Sequence, residues 1–452
     1  MVVRAYVPRS LRINRRLDPL LTAARLASAG LFDSYVVYER NGSWSFAGGT
    51  VGTVILRRDT VTASWQGADQ RVGTEPLRQV AHLLEQAPYR RWRAYGWAAF
   101  ELAYALHGRN HLIAETESNE PLLFLAVPQV EVILREDGAL LSATSDALLT
   151  ECRDIILKST AEGDYWPKSL EVDESDDNYR RIVTDTVAEL QRRLLSKVIL
   201  SRTIPVDFDV DLAATYVLGR QRNNPARSFL LNLGGVEAAG FSPETVVEVD
   251  RGGLVSTQPL AGTRALTEAD QDNLRLRTEL LRDPKEIFEH AISVKVAYDE
   301  LVDLCGPGPV RVEDFMSVRE RGSVQHLASR VTGQLPEGRD QWDAFAALFP
   351  AVTASGAPKP AALDRIHRYE QPRGLYSGAV LTVDSTGELD AALVLRAIYR
   401  KAGRTWLRAG AGIVEHSSPD REHEETCEKL RSVARHLVPA ASTLGPSGGD
   451  LT

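Results

Sequence analysis

The chain has 452 residues, 43% of them hydrophobic and 25% charged, which suits a globular protein with a core large enough to need no disulfides or structural metal. Its formal net charge of −8 argues against a nucleic-acid surface or an anionic membrane as partner, so an anionic ligand would need local Lys, Arg or metal. Cys152, Cys305 and Cys427 are odd in number and in no zinc spacing, no apolar run approaches the ~18 residues of a membrane span, and a soluble, cytoplasmic protein is expected.

The basic opening "MVVRAYVPRSLRINRR" lacks the apolar stretch of a signal peptide and is expected to be a frayed or loosely docked terminus. Helical pieces are expected near 18–30 and 75–86. Residues 34–49, "SYVVYERNGSWSFAGG", read as two strands around an Asn41-Gly42 turn. Strand-like pieces follow at "VGTVILRR", "AYGWAAFELA" and "LLFLAVPQVEVILREDGALLSATS", the last turning at Asp137-Gly138. After a poorly anchored segment 1–32, residues 33–170 therefore look α+β with mostly antiparallel pairing.

"EVDESDD", residues 171–177, is acidic and suits a linker or a helix start capped by Asp176 or Asp177. Val183, Val187, Leu190 and Leu194 then recur at helical steps before the strand "KVILSR". Further strands are expected at "SFLLNLGG", "VEAAGFSPETVVEVD" and "GLVSTQPLAGT", a long helix around 283–303, then "SVQHLASRVTGQL" and mixed pieces to about 438. The Gly/Ser/Pro-rich end, 438–452, is expected to be disordered.

Several residues sit where their chemistry is costly. Lys197 carries an amine into the edge of an apolar strand, either snorkelling to solvent or serving as a base. Glu286 and Glu289 are three apart, and Glu422, Glu425 and Lys429 follow at i, i+3 and i+7, so each set shares one helix face. Brought together, the two faces would offer hard oxygen ligands suited to Mg²⁺; separately, two solvated Glu–Lys faces explain them as well. Arg396 interrupts the apolar run "LVLRAIY" and needs an anion if buried, from the protein or from a ligand. Glu244, His326 and Tyr376 each have an ordinary structural explanation as well. Glycines cluster in "PLAGTR", "TASGAPK", "LYSGAV" and "LRAGAGIV", but none forms a dinucleotide or Walker loop.

The segments "KVILSR", "GFSPE", "PLAGTRAL", "KEIFEHAISV", "RERGSVQHL", "LFPAVTASGAPK", "RGLYSGAV", "LRAGAGIVE" and "EETCEKL" occur in this order. In them the chain resembles the chorismate-utilising enzymes, the family shared by anthranilate, isochorismate and salicylate synthases, and within it most resembles the salicylate synthases of siderophore pathways. The resemblance runs from about residue 33 to 437 and is densest beyond 178. It implies a single large α/β sandwich of two sheets with helices outside and a central cleft, residues 171–437 forming the catalytic part. It also implies chorismate as substrate, Mg²⁺ as cofactor and a monomer.

Carried onto this chain, the resemblance makes Glu289 and Glu425 metal ligands, with Glu286 and Glu422 holding the metal's waters. Tyr376, Arg396, Lys429 and the backbone at Gly410 would hold the substrate carboxylates and metal. Gly262, Thr263, His326 and Thr353 would line the ring pocket. Lys197 would activate water, provided burial favours its neutral amine, and Glu244 would protonate the departing hydroxyl, which requires a raised pKa. An isochorismate synthase that releases its intermediate is the nearest alternative. An ammonia-using anthranilate-type enzyme fits less well, since its members resemble one another in carrying glutamine at the position of Lys197.

Overall fold

A computed structural model describes residues 8–440, apart from 67–68, 89–90, 118, 159–164, 173–174, 193–194, 268 and 323. Two large antiparallel sheets pack face to face, and helices cover both outer surfaces. Strands from before and after residue 170 are interleaved in both sheets.

The strand sequences explain this layering. Along Tyr35–Arg40, Val36 and Tyr38 point into the layer between the sheets, and Val37 points outward under the helices. Arg227–Leu233 and Arg93–Ala98 divide in the same way: Phe229, Leu231, Tyr95 and Trp97 go inward, while Leu230, Ala94 and Ala98 go outward. Strands buried on both faces read as near-continuous apolar runs, because period-two alternation then separates two apolar sets.

The predicted hairpin forms, with Tyr35–Arg40 paired to Ser43–Gly48 and both Asn41 and Gly42 at positive φ. The expected helices are Pro19–Ser28, Pro76–Glu85 and Pro284–Cys305, and Asp176 caps Asp177–Leu190 through the Tyr179 N–H. Leu194, residues 173–174 of the acidic segment and residues 1–7 lie outside the described residues.

Three expectations need correction. Arg9–Ile13 does not fray but pairs in register with Gly138–Ala143 as an edge strand. "AYGWAAFELA" is a strand only to Ala98, after which Leu102–Leu106 is helical. At the C-terminus, Pro439 bridges to Val210 and the Ala440 N–H donates to Asp209 O, so 438–440 are docked; residues 441–452 lie outside the described residues.

At one end of the first sheet, Ala397–Lys401, Arg404–Ile413, Lys197–Val206 and Gly356–Ala357 lie side by side. The second sheet ends with Thr245–Val249, Leu254–Thr257, Val324–Gln334 and Leu260–Ala265. The chain passes between the sheets twice here, at Pro243-Glu244 and at residues 394–396. Those crossovers frame a cleft.

Candidate active site

The crossovers run alongside each other, the Leu393 N–H donating to Glu244 O at 3.2 Å and the Phe241 N–H to Arg396 O at 3.1 Å. Arg396 is therefore not within a strand, as the apolar run suggested, but at a bend with φ of 51° between Leu389–Leu393 and Ala397–Lys401. Glu244 is buried; its Oε2 accepts from the Leu260 N–H and its Oε1 from Thr353 Oγ1, each at 2.5 Å. Burial pushes its carboxyl up to about 7, against the opposing pull of those two hydrogen bonds and of Lys197 and Arg396.

The Arg396 guanidinium is also buried, and desolvation together with Arg321 lowers it to about 10. Among the described residues no carboxylate lies within ion-pair distance of it. Its Nη1 donates to Arg321 O at 2.7 Å and its Nη2 to His326 Nε2 at 2.5 Å. His326 must then carry its proton on Nδ1, which faces Gly262 O at 3.3 Å and Thr263 Oγ1 at 3.1 Å. Burial first, then Arg396 and Lys429, hold His326 well below its usual range, so it is neutral.

The opposite end of the cleft is built by two helices. Asp283 caps Pro284–Cys305 through the Lys285 and Glu286 N–H groups, and Glu286, Glu289 and Ser293 share its inward face. Pro419–Ala434 turns Glu422 and Glu425 toward them. Lys197 is wholly buried; its Nζ lies 3.0 Å from Glu289 Oε1 and donates to Ser293 Oγ at 3.0 Å. It does not snorkel. Gly412 makes room for this pair, since a Cβ there would fall 2.2 Å from Glu289 Oε1 and 3.2 Å from Lys197 Cε.

Each remaining carboxylate meets its own partners. Glu286 accepts from the Thr263 N–H and from Arg264 Nη1, both at 3.0 Å, and Gly262 at φ 79° lets that strand approach. Lys429 Nζ lies 2.8 Å from Glu425 Oε1 and donates to Gly410 O at 2.9 Å. Burial opposes the Glu425 charge, yet Lys429 and Lys285 hold its carboxyl down to about 2. Glu422 has Lys285 Nζ 3.1 Å from its Oε1, yet burial followed by Glu425 pushes its carboxyl up to about 7, against the pull of Lys285 and Ser417.

Among the described residues no three His, Cys, Asp or Glu side chains already stand as a metal shell. The donor set nonetheless fits a small hard cation, because it is all oxygen, converges from two helices and includes the buried Glu422.

The cleft is lined by both crossovers, both helices and the strands between them. All the predicted site residues line it except Lys197, Glu286 and Glu422, which sit behind its wall. Reasoning from sequence missed two features. Lys285 stands among the carboxylates; its only signal is adjacency to Glu286 in "PKEIFEH". Arg408, in "LRAGAGIV", and Arg373 both bond Glu370 Oε2, at 2.6 and 2.8 Å, and their guanidinium groups lie 5.3 and 5.6 Å from the Tyr376 ring. This buried cluster fixes Tyr376, whose hydroxyl lies where a Cβ on Gly410 would come within 2.8 Å.

A family profile described as chorismate binding enzyme matches residues 34–435. A protein named salicylate synthase from Mycolicibacterium paratuberculosis is 42% identical over 93% of this chain and 94% of its own length. Anthranilate synthase component 1 from Mycobacterium tuberculosis is 36% identical over 61% of this chain and 54% of its own. The fold matches solved structures of anthranilate synthase component I from Streptococcus pneumoniae (TM-score 0.72, 23% identity, 88% of this chain and 92% of the other) and of the menaquinone-specific isochorismate synthase from Escherichia coli (TM-score 0.72, 20% identity, 96% and 95%). With one profile spanning almost the whole described chain and a relative aligned nearly end to end, this protein belongs to the chorismate-binding family and is a chorismate-utilising enzyme.

Proposed function

We propose that the chain is a Mg²⁺-dependent salicylate synthase, converting chorismate through isochorismate to salicylate and pyruvate for a siderophore or another salicylate-derived product. The observation that carries this is a wholly buried lysine, Lys197, near enough to act electrostatically on Glu244, a buried carboxyl that desolvation raises to about 7. The end-to-end relative named salicylate synthase supports the choice of product.

In the first step Lys197 takes a proton from water as the water oxygen bonds to the ring. For that, Nζ must leave its pairing with Glu289 and be in the amine form. Glu244, raised to about 7 and so protonated in a large fraction of molecules near neutral pH, gives its proton to the departing hydroxyl, which leaves as water. One water is added and one lost, so the product is an isomer. Arg396, with no carboxylate in ion-pair distance among the described residues, holds a substrate carboxylate with Tyr376 and Lys429, while neutral His326, Gly262, Thr263 and Thr353 shape the ring pocket. Glu289 and Glu425 would bind Mg²⁺ and Glu286 and Glu422 its waters; the ion would offset carboxylate charge as electron density shifts through the ring. In the second step a hydrogen moves from the ring to the enolpyruvyl side chain and pyruvate leaves. That step asks only for a held conformation.

Purified protein incubated with chorismate and Mg²⁺ is expected to yield equal amounts of salicylate and pyruvate by chromatography. Isochorismate accumulating without pyruvate would select an isochorismate synthase instead.

A further inference from the structure

The carboxylate cluster already contains a cation. Lys285 Nζ lies 3.1 Å from Glu422 Oε1, 3.6 Å from Glu286 Oε1 and 3.8 Å from Glu289 Oε2, so three of the four carboxylates converge on one ammonium. Nζ is buried, yet it makes no hydrogen bond among the described residues. It sits central to the group rather than bonded to any one member.

Its position in the chain adds to this. Lys285 lies in the first turn of Pro284–Cys305, where a cation opposes the helix dipole, so helix stability does not account for it. Glu286, Glu289 and Glu425 have their own partners in Arg264, Lys197 and Lys429. Glu422 has Lys285 as its ion-pair partner among the described residues, with Ser417 as a further polar neighbour. Without that ammonium its buried charge would be uncompensated, a costly arrangement.

We propose that Lys285 is a built-in counter-ion that occupies the cation position of this site and must swing out before a divalent metal can bind. This rests on the metal site of the proposed function and extends it. The lysine keeps the metal-free cleft from being forced open by its own carboxylates, and it lowers the apparent affinity for the metal, because the two cations compete for the same oxygens. Its four-carbon stem and the absence of any hydrogen bond make the exchange a matter of side-chain rotation. Arginine, with a planar fork that grips carboxylates, would exchange less readily.

Two measurements on the full chain test this without reference to turnover. In the wild type, amine-specific labelling read by peptide mass spectrometry is expected to modify Lys285 slowly without metal and faster as MgCl₂ is titrated in. In parallel, calorimetric titration of Lys285→Met with MgCl₂ is expected to show tighter binding than wild type by about fivefold or more, the lower end of typical coupling between two bound groups. The metal-free variant should melt lower and gain more from Mg²⁺. Lys285→Arg, which keeps the charge should the methionine variant fail to fold, is expected to bind Mg²⁺ more weakly than wild type. Mg²⁺ binding with labelling of Lys285 unchanged, or with affinity unaltered or weakened in Lys285→Met, would overturn the counter-ion role alone. No Mg²⁺ binding by the wild type would overturn the metal site and this role together.

Discussion

At the helix end of the cleft each of the four glutamates is set directly against a cation, whereas at the crossover end Arg396 has no carboxylate within ion-pair distance among the described residues and Glu244 is only about half ionised at pH 7. The same degree of burial thus serves two purposes. Paired charges are held ready and the protein fold compensates them. A guanidinium without an ion pair among the described residues, beside an acid only partly ionised near pH 7, leaves a net positive pocket, which an anionic ring substrate would complete. Helices can supply the first arrangement because residues three and four apart share a face. The second needs chain segments leaving the sheets, since a strand interior would pair or repack such groups.

The contrast can be broken most severely at its two proposed proton-transfer groups. Glu244→Gln keeps the shape of the crossover end but has no acidic proton, and Lys197→Gln keeps a polar group beside Glu289 but no base. Each is expected to lower turnover by about 10²–10⁴-fold, the usual worth of a positioned acid or base, with the far-UV circular dichroism unchanged. Most activity surviving in either variant would remove that residue from the chemistry.

A stability comparison comes next. Lys429→Met leaves the Glu425 carboxylate buried without its nearest cation and is expected to cost on the order of 3 kcal/mol in urea unfolding. Arg396→Met removes a buried charge that has no ion pair among the described residues, and is expected to change stability by only about 1 kcal/mol while weakening substrate binding. Equal losses in the two variants would mean the two ends do not differ as described.

The smallest effect is the pH profile. The Glu244 carboxyl is raised from 4.5 to about 7, so the donor is protonated below that value and ionised above it. Where its proton transfer limits the rate, turnover should fall about tenfold per unit above pH 7. The folded chain also holds a proton that the unfolded chain releases, so this group's contribution to stability falls as pH rises from 4.5 to 7 and then levels off. A rate flat from pH 7 to 9 in wild type would detach Glu244 from the acid role.

The helix face carrying Glu286 and Glu289 was legible from spacing alone, as were the Asn41-Gly42 hairpin and the Asp176 cap. Lys197 was legible as an anomaly, an amine in an apolar strand, but its partner Glu289 stands 92 positions later and only the fold joins them. Arg396 gave the right signal for the wrong local structure, because an apolar run looks the same whether it is one strand or two joined by a bend between sheets. Lys285 gave almost none: a lysine next to a glutamate on a helix is ordinary until neighbouring helices close over it.

By itself the sequence determined the elements and which of their faces are apolar, because hydrophobic period, caps and turn residues act over a few positions. It also carried the ordered motifs that mark a chorismate-utilising family. Only the tertiary structure decided which carboxylates share a cation, that Arg396 has no ion pair among the described residues, and that the Glu244 carboxyl is raised to about 7. Those properties depend on desolvation and on charges a few ångströms away, and both come from segments far apart along the chain.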